Sequence, residues 1–333
     1  PEPALPGDAW TAMGDAAIPL ETVGVYGGIA AVRARVTLPT PLPDDGSLFV
    51  EHASDIVGIY VNGTYITTLC PVGTEIDNRS ANTHYRFTDL RPLLRGGINE
   101  VLFRVEVWGH GSFMWPRGRI IATSAQIPSL GFDSFKGLWG RARLAGRDLT
   151  GWEFAPTSAG ERLGWHENPS ANGFSSARLP LTLSRGQTLW VRARIRGLPA
   201  SAWKVPLALR LQGRNLAGTL WLDGMLIGRW LSDEDFLQRG AWTRARRDMW
   251  MNTSPDEFPL ADSMIGDGME HVLAVRLDDV SGHDDPSGGV LESLELVPFG
   301  AEKSVDGQGN TINVPRWLSV FPIEFSPAPC SAA

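Results

Sequence analysis

The chain has 333 residues, 43% of them hydrophobic and 20% charged, with 30 basic against 37 acidic side chains and a net charge of −7. That balance describes a weakly acidic globular protein of two domains or one large one, and it excludes a nucleic-acid binder, which needs a cationic surface. No apolar run is long enough to span a bilayer as a helix, so no membrane span is expected, and two cysteines, Cys70 and Cys330, exclude a disulfide scaffold and a cysteine-built zinc site.

In chain order, the first tryptophan comes early, in Asp8-Ala9-Trp10. Val32, Ala34, Val36 and Leu38 then alternate with Arg33, Arg35 and Thr37, the period-two pattern of a strand with one buried face. Tyr60-Val61-Asn62-Gly63 follows. Asn-Gly between apolar runs predicts a two-residue type I′ hairpin, in which both turn residues take positive φ. Val101, Phe103, Val105 and Val107 alternate with Arg104 and Glu106 as a further strand.

The same series then returns. Val191-Arg192-Ala193-Arg194-Ile195 repeats residues 32–36, Trp221-Leu222-Asp223-Gly224 repeats the hairpin, Phe258 matches Phe87, Arg276 matches Arg104, and Gly282-His283 matches Gly109-His110. The order is colinear and long helical periodicity is absent, which predicts an all-β protein made of two copies of one antiparallel β-sandwich. The expected boundaries are 1–145 for the first copy, 146–300 for the second and 301–333 for an extended tail. The second copy is longer at 231–257, where Ser232 ahead of Asp233-Glu234-Asp235 has the sequence of a helix N-cap. The tail carries Trp317, Phe321, Ile323 and Phe325 among Pro, Gly and Ser, and is expected to dock on the protein or on a protein neighbour.

Several residues carry candidate chemistry. Trp108, His110, Trp115 and Arg117 sit in one loop after a strand, where indoles could stack on a pyranose and a guanidinium could bond its hydroxyls; the alternative is a loop sealing an interface. Trp242, Arg246, Arg247 and Trp250 form a second such set in the longer loop, suited to an acidic sugar or a partner's carboxylates, or else to covering a sheet edge. Asp278, Asp279, Asp284 and Asp285 could supply oxygen ligands to a structural Ca²⁺, although their spacing fits no defined calcium loop and also suits a solvated acidic turn. No catalytic residues are assigned: the histidines lack metal-ligand spacing, no G-x-S-x-G elbow occurs, and no phosphate-cradling glycine loop joins a strand to a helix.

The early tryptophans Trp10 and Trp152, the R-x-R strands, the two Asn/Asp-Gly hairpins, Ile227-Gly228-Arg229-Trp230, the acidic turn from Asp278 to Asp285 and the bridge Lys136-Gly137-Leu138-Trp139-Gly140 together resemble the paired jelly-roll domains at the C-terminal end of large β-galactosidases, the galactose-binding-like sandwich. The resemblance covers about residues 8 to 299. It implies tandem jelly rolls with a sugar-binding or scaffolding role, and a structural Ca²⁺ is in keeping with it. A catalytic barrel of about 250 residues has no room beside them. Three functions follow as expectations: a non-catalytic glycan- or polysaccharide-binding protein; a structural or assembly protein, such as a virion or tail component contacting a glycosylated host surface; and an accessory part of a β-galactosidase-like hydrolase whose barrel lies elsewhere. No signal peptide heads the chain as given, and the setting stays open between virion and extracellular.

Overall fold

The computed structural model describes residues 3–25, 27–54, 56–69, 85–107, 137–168, 174–197, 207–232, 257–266, 268–282, 287–298 and 321–322. These form antiparallel β-sheets arranged as two sandwiches, each around its own apolar core.

The first sandwich pairs a six-stranded sheet with a four-stranded one. The larger runs in the order β1 (Thr11–Gly14), β10 (Thr150–Ala155), β2 (Gly28–Leu38), β7 (Gly97–Val107), β4 (Ile56–Val61), β5 (Thr64–Leu69). The smaller runs β6 (Tyr85–Phe87), β3 (Leu48–Ser54), β8 (Gly137–Leu144), β9 (Arg147–Asp148). In β2 the alternation expected from the sequence is realised: Val32, Ala34, Val36 and Leu38 are buried in the core, while Arg35 and Thr37 are exposed on the other face. Facing them from the second sheet are Leu48, Val50, Leu138, Ala142 and Leu144.

The second sandwich is likewise built of two antiparallel sheets. Its four-stranded sheet is β12 (Thr188–Arg196), β17 (Glu270–Asp279), β14 (Leu216–Leu222), β15 (Met225–Leu231). Opposite lies β11 (Leu181–Thr182), β18 (Val290–Pro298), β13 (Leu207–Arg214), β16 (Glu257–Leu260), and β19 (Phe321–Pro322) adds to β18. The order β12-β17-β14-β15 follows the same path as β2-β7-β4-β5. Its core is built from Val191, Ala193, Ile195, Leu209, Leu211, Leu220, Trp230, Val275 and Leu294. Both hairpins take the expected turn, with Asn62 and Asp223 at φ 48° and Gly63 and Gly224 at φ 81°.

The first sandwich runs past residue 145. Strand β10 pairs with β1 and β2, and Trp152, at 2% exposure, stacks on Phe103 at 6.0 Å in the first core. The repeat places Trp152 at the head of the second copy because it counts tryptophans, whereas β10 pairs with β1 and β2 of the first sheet. A short helix, α1 (Ala159–Arg162), follows, closed by a capping box in which Ser158 and Glu161 each bond the other's backbone N–H. The helix anticipated after Ser232 falls outside the described residues; the Ser232 hydroxyl accepts from the Leu216 N–H at 2.6 Å.

Candidate functional site

In β7, Val101, Phe103 and Val105 face the first core, so the intervening Arg104 and Glu106 project from the opposite face. In β17, Leu273, Val275 and Leu277 do the same for Arg276 and Asp278. These two outer faces meet; Glu106, Arg276 and Asp278 are buried between the sandwiches and Arg104 is mostly covered.

Arg104 Nη1 lies 3.2 Å from Asp278 Oδ1 and donates to the Thr188 hydroxyl at 2.6 Å, which in turn donates to Asp278 at 2.5 Å. Arg276, fully buried, reaches Asp278 Oδ2 at 2.5 Å and Glu106 at 3.8 Å. Around them the Tyr60 hydroxyl donates to the Gly186 carbonyl at 2.6 Å, the Tyr65 hydroxyl to the Ser281 carbonyl at 2.6 Å, and Arg185 to the carbonyls of Ile66 and Gly282. Asp279 accepts from the Gly186 N–H at 2.6 Å and the Ser281 hydroxyl at 2.8 Å. A small apolar cluster of Ile56, Ala217, Leu231 and Val280 closes the seam.

The electrostatics follow from this geometry. Burial works against the Asp278 carboxylate, but Arg104 and Arg276 outweigh it and hold the group below the ordinary carboxylate range. Asp279, lacking so close a cation, is pushed up by burial despite the bonds from Gly186 and Ser281. Burial likewise raises the Tyr60 and Tyr65 phenols.

Beside the seam, on the outer face of the β12-β17-β14-β15 sheet, Trp190 and Trp221 stack at 5.2 Å, Trp165 stands edge-on to Trp190 at 6.0 Å, and His166 leans on Trp221 at 5.3 Å. Phe174 completes the group under the Arg192 guanidinium, 4.6 Å from its ring. Trp10 lies under Arg33 in the first sandwich in the same way, at 4.0 Å. In the second sandwich, Trp190 and Trp221 bury their faces against one another and do not present an open stacking platform.

Of the residues singled out in the sequence, Trp108, His110, Trp115, Arg117, Trp242, Arg246, Arg247, Trp250, Asp284 and Asp285 lie outside the described residues. The strands that lead to the two loops are described. Strand β7 ends at Val107 and β15 at Leu231; Glu106 lies opposite Ile56 in the sheet register, and Ile56 and Leu231 belong to one small apolar cluster, so these two strand ends lie near each other. Asp278 and Asp279 are described, and they do not fit the calcium reading: their oxygens are taken by guanidinium, hydroxyl and amide donors, and a dication at Asp278 would have to displace two arginines. Among the described residues no group of three or more His, Cys, Asp or Glu side chains is placed to hold a metal ion. Sequence reasoning missed Tyr60, Tyr65, Arg185 and Thr188 as seam residues; the match of Arg104 with Arg276 was the available signal, since a charged residue kept at matching places in two strands marks a shared environment.

No protein-family model and no curated protein matches the chain. Among solved structures it is similar to a GH78-family rhamnosidase of Bacillus sp. GL1 (13% identity over 89% of this chain and 34% of that one, TM-score 0.30) and to an α-L-rhamnosidase of Streptomyces avermitilis in complex with L-rhamnose (13%, 87% and 28%, TM-score 0.24). It is also similar to a lectin of Pleurotus ostreatus (12% identity over 96% of this chain and 93% of that one, TM-score 0.22). The chain spans about a third of the length of the two rhamnosidases.

Proposed function

We propose that this chain is a non-catalytic carbohydrate-binding protein, built from two copies of a galactose-binding-like sandwich, that recognises a glycan through the loops at 108–117 and 242–250. The observation that carries this reading is the shared apolar cluster of Ile56 and Leu231, because it sets the end of β15 beside the end of β7, the strands that precede the two sets in sequence. Trp and Arg side chains in the two sets would offer stacking surfaces for sugar rings and forked donors for hydroxyl or carboxylate groups. The seam's own acids fit the non-catalytic reading: Asp278 and Asp279 are bonded to framework donors and are not the substrate-facing carboxylates a general acid or nucleophile needs.

The test is a glycan array followed by tryptophan-fluorescence titration of the hits. Binding of at least one glycan is expected, with Trp115→Ala and Trp242→Ala each weakening it by tenfold or more, about 1.4 kcal/mol. Absence of any binding glycan, or affinity unchanged in both variants, overturns the reading. A second reading, an assembly protein that contacts neighbours through its tail, is favoured by one observation: Phe321 and Pro322 pair with Leu296 and Glu295 of β18, so the tail can act as an added strand. Weighing the full chain against one ending at Gly300 tests it, since finding both forms monomeric would remove the tail as an assembly element.

A further inference from the structure

The seam joins matching parts of the two sandwiches. In the sheet register Arg104 lies opposite Gly58 and Ala31, and Arg276 opposite Thr219 and Trp190. Two residues on, Glu106 lies opposite Ile56 and Ile29, and Asp278 opposite Ala217 and Thr188. Each arginine therefore has the same address in its own sandwich, as does each acid, and the pairs cross reciprocally: Arg104 meets Asp278 while Arg276 meets Glu106. Ile56 and Ala217, again at matching addresses, belong to the same small apolar cluster. The glycines at the entries to β12 and β2 repeat the relation, because a side chain at Gly186 would run into Tyr65 of the first sandwich and one at Gly27 would approach Arg229 of the second.

Reciprocal contact between equivalent residues is the property of an isologous, twofold interface. We propose that the seam is a local twofold contact made within one chain, and that the outer face carrying it is a self-complementary docking surface whose partner is another sandwich of the same kind. The charge pattern supplies the reason. An arginine and an acid two positions apart on one strand point the same way, so a copy rotated by half a turn sets arginine against acid twice, and like charges never oppose. The departure from symmetry has a local cause. Thr188 offers Arg104 a hydroxyl, whereas its counterpart Ile29 has none; Arg276 turns to Asp278 of its own sandwich at 2.5 Å and leaves Glu106 at 3.8 Å. The inference does not depend on the sugar reading.

Each sandwich closes its own core, with no residue shared between the two. The interface can therefore be tested by nicking the folded full chain at a protease site placed between Arg162 and Leu163, both exposed and ahead of the Trp165 cluster. Native mass spectrometry of the nicked protein, after dilution and reconcentration, is expected to show the one-to-one pair of halves together with homodimers of each half. Arg276→Glu leaves the second half with two acids on its face; its homodimer should vanish while that of the first half persists. Halves found only as monomers, only as the one-to-one pair, or a second-half homodimer that survives Arg276→Glu would each overturn the proposal. Circular dichroism of the separated halves, expected to keep the β-sheet signature, excludes unfolding as the cause of lost pairing.

Discussion

Tyr65 of the first sandwich donates its hydroxyl to the Ser281 carbonyl of the second at 2.6 Å, with the Arg185 guanidinium 5.4 Å from its ring. The phenol stays neutral because burial opposes the phenolate, and the same holds for Tyr60 on Gly186. The seam therefore depends on two protons that alkali removes.

The sign follows from linkage. Both phenols titrate higher in the folded protein than their usual value of 10.0, so the stability they contribute is whole below pH 10 and is lost as the pH rises from there toward the folded values. Absorbance at 295 nm should show that Tyr60 and Tyr65, two of the chain's four tyrosines, ionise only as the protein unfolds. All four ionising in a fold that stays intact would contradict the seam.

Asp278 and Asp279 are neighbours in sequence with opposite environments. Asp278 is held low by two arginines, so the stability it gives is present above the unfolded value of 3.8 and is lost as pH falls through its lower folded value. Asp278→Ala leaves buried guanidinium groups without their counter-charge and should cost about 3–5 kcal/mol at neutral pH. Asp279 is held high, so its contribution is whole below the unfolded 3.8 and lost as pH rises through the folded value. Asp279→Asn, which keeps an oxygen for the Gly186 N–H, should change neutral stability by less than about 1 kcal/mol. Urea midpoints of both variants at pH 7 and pH 3.5 measure the contrast, and equal losses at pH 7 would show that the arginines do not distinguish the two acids.

Trp152 marks where the first sandwich ends. Its ring lies on Phe103 and its indole N–H donates to the Leu149 carbonyl at 3.1 Å, deep in the first core. Trp152→Ala should cost about 3–5 kcal/mol and lower the unfolding midpoint of the first sandwich. Tryptophan fluorescence with denaturant resolves this, provided the second sandwich is followed through Trp230 in its own core. A variant that weakened only the second sandwich would return Trp152 to the place its position in the repeat suggests.

Much of this fold was legible because strand alternation and Asn/Asp-Gly turns are local signals. Val32 to Leu38 and Val191 to Ile195 each announce a buried face, and Asn62-Gly63 and Asp223-Gly224 each announce a hairpin. The boundary near Trp152 was not legible, because which sheet takes β10 is decided by pairing across more than a hundred residues of chain. The seam was half legible. Arg104 and Arg276 stand out as matched, but that each meets the other's acid depends on how two finished sandwiches dock. The acidic turn is decided in part by neighbours out of sequence reach: Asp278 reads as an oxygen donor, and in the structure the arginine two residues earlier in its strand lies beside it.

The hairpin residues do more than turn the chain. Asn62 Oδ1 accepts from the Glu100 N–H at 3.0 Å, and Asp223 Oδ1 accepts from the Val272 N–H at 2.8 Å, so each ties its hairpin to the neighbouring strand, β7 or β17. Asp223 also bonds His271 Nδ1 through its other oxygen at 2.7 Å. Asp223→Ala removes both bonds and leaves a β-carbon at φ 48° with no local bond to favour it, which should cost about 2–3 kcal/mol. Asp223→Asn keeps the bond to Val272 and tolerates the left-handed turn, so it should cost less than about 1 kcal/mol. Chemical denaturation of the two variants separates the roles. If alanine proved as mild as asparagine, the hairpin would be held by Gly224 alone, and the tie between β14–β15 and β17 would contribute nothing to the second sandwich.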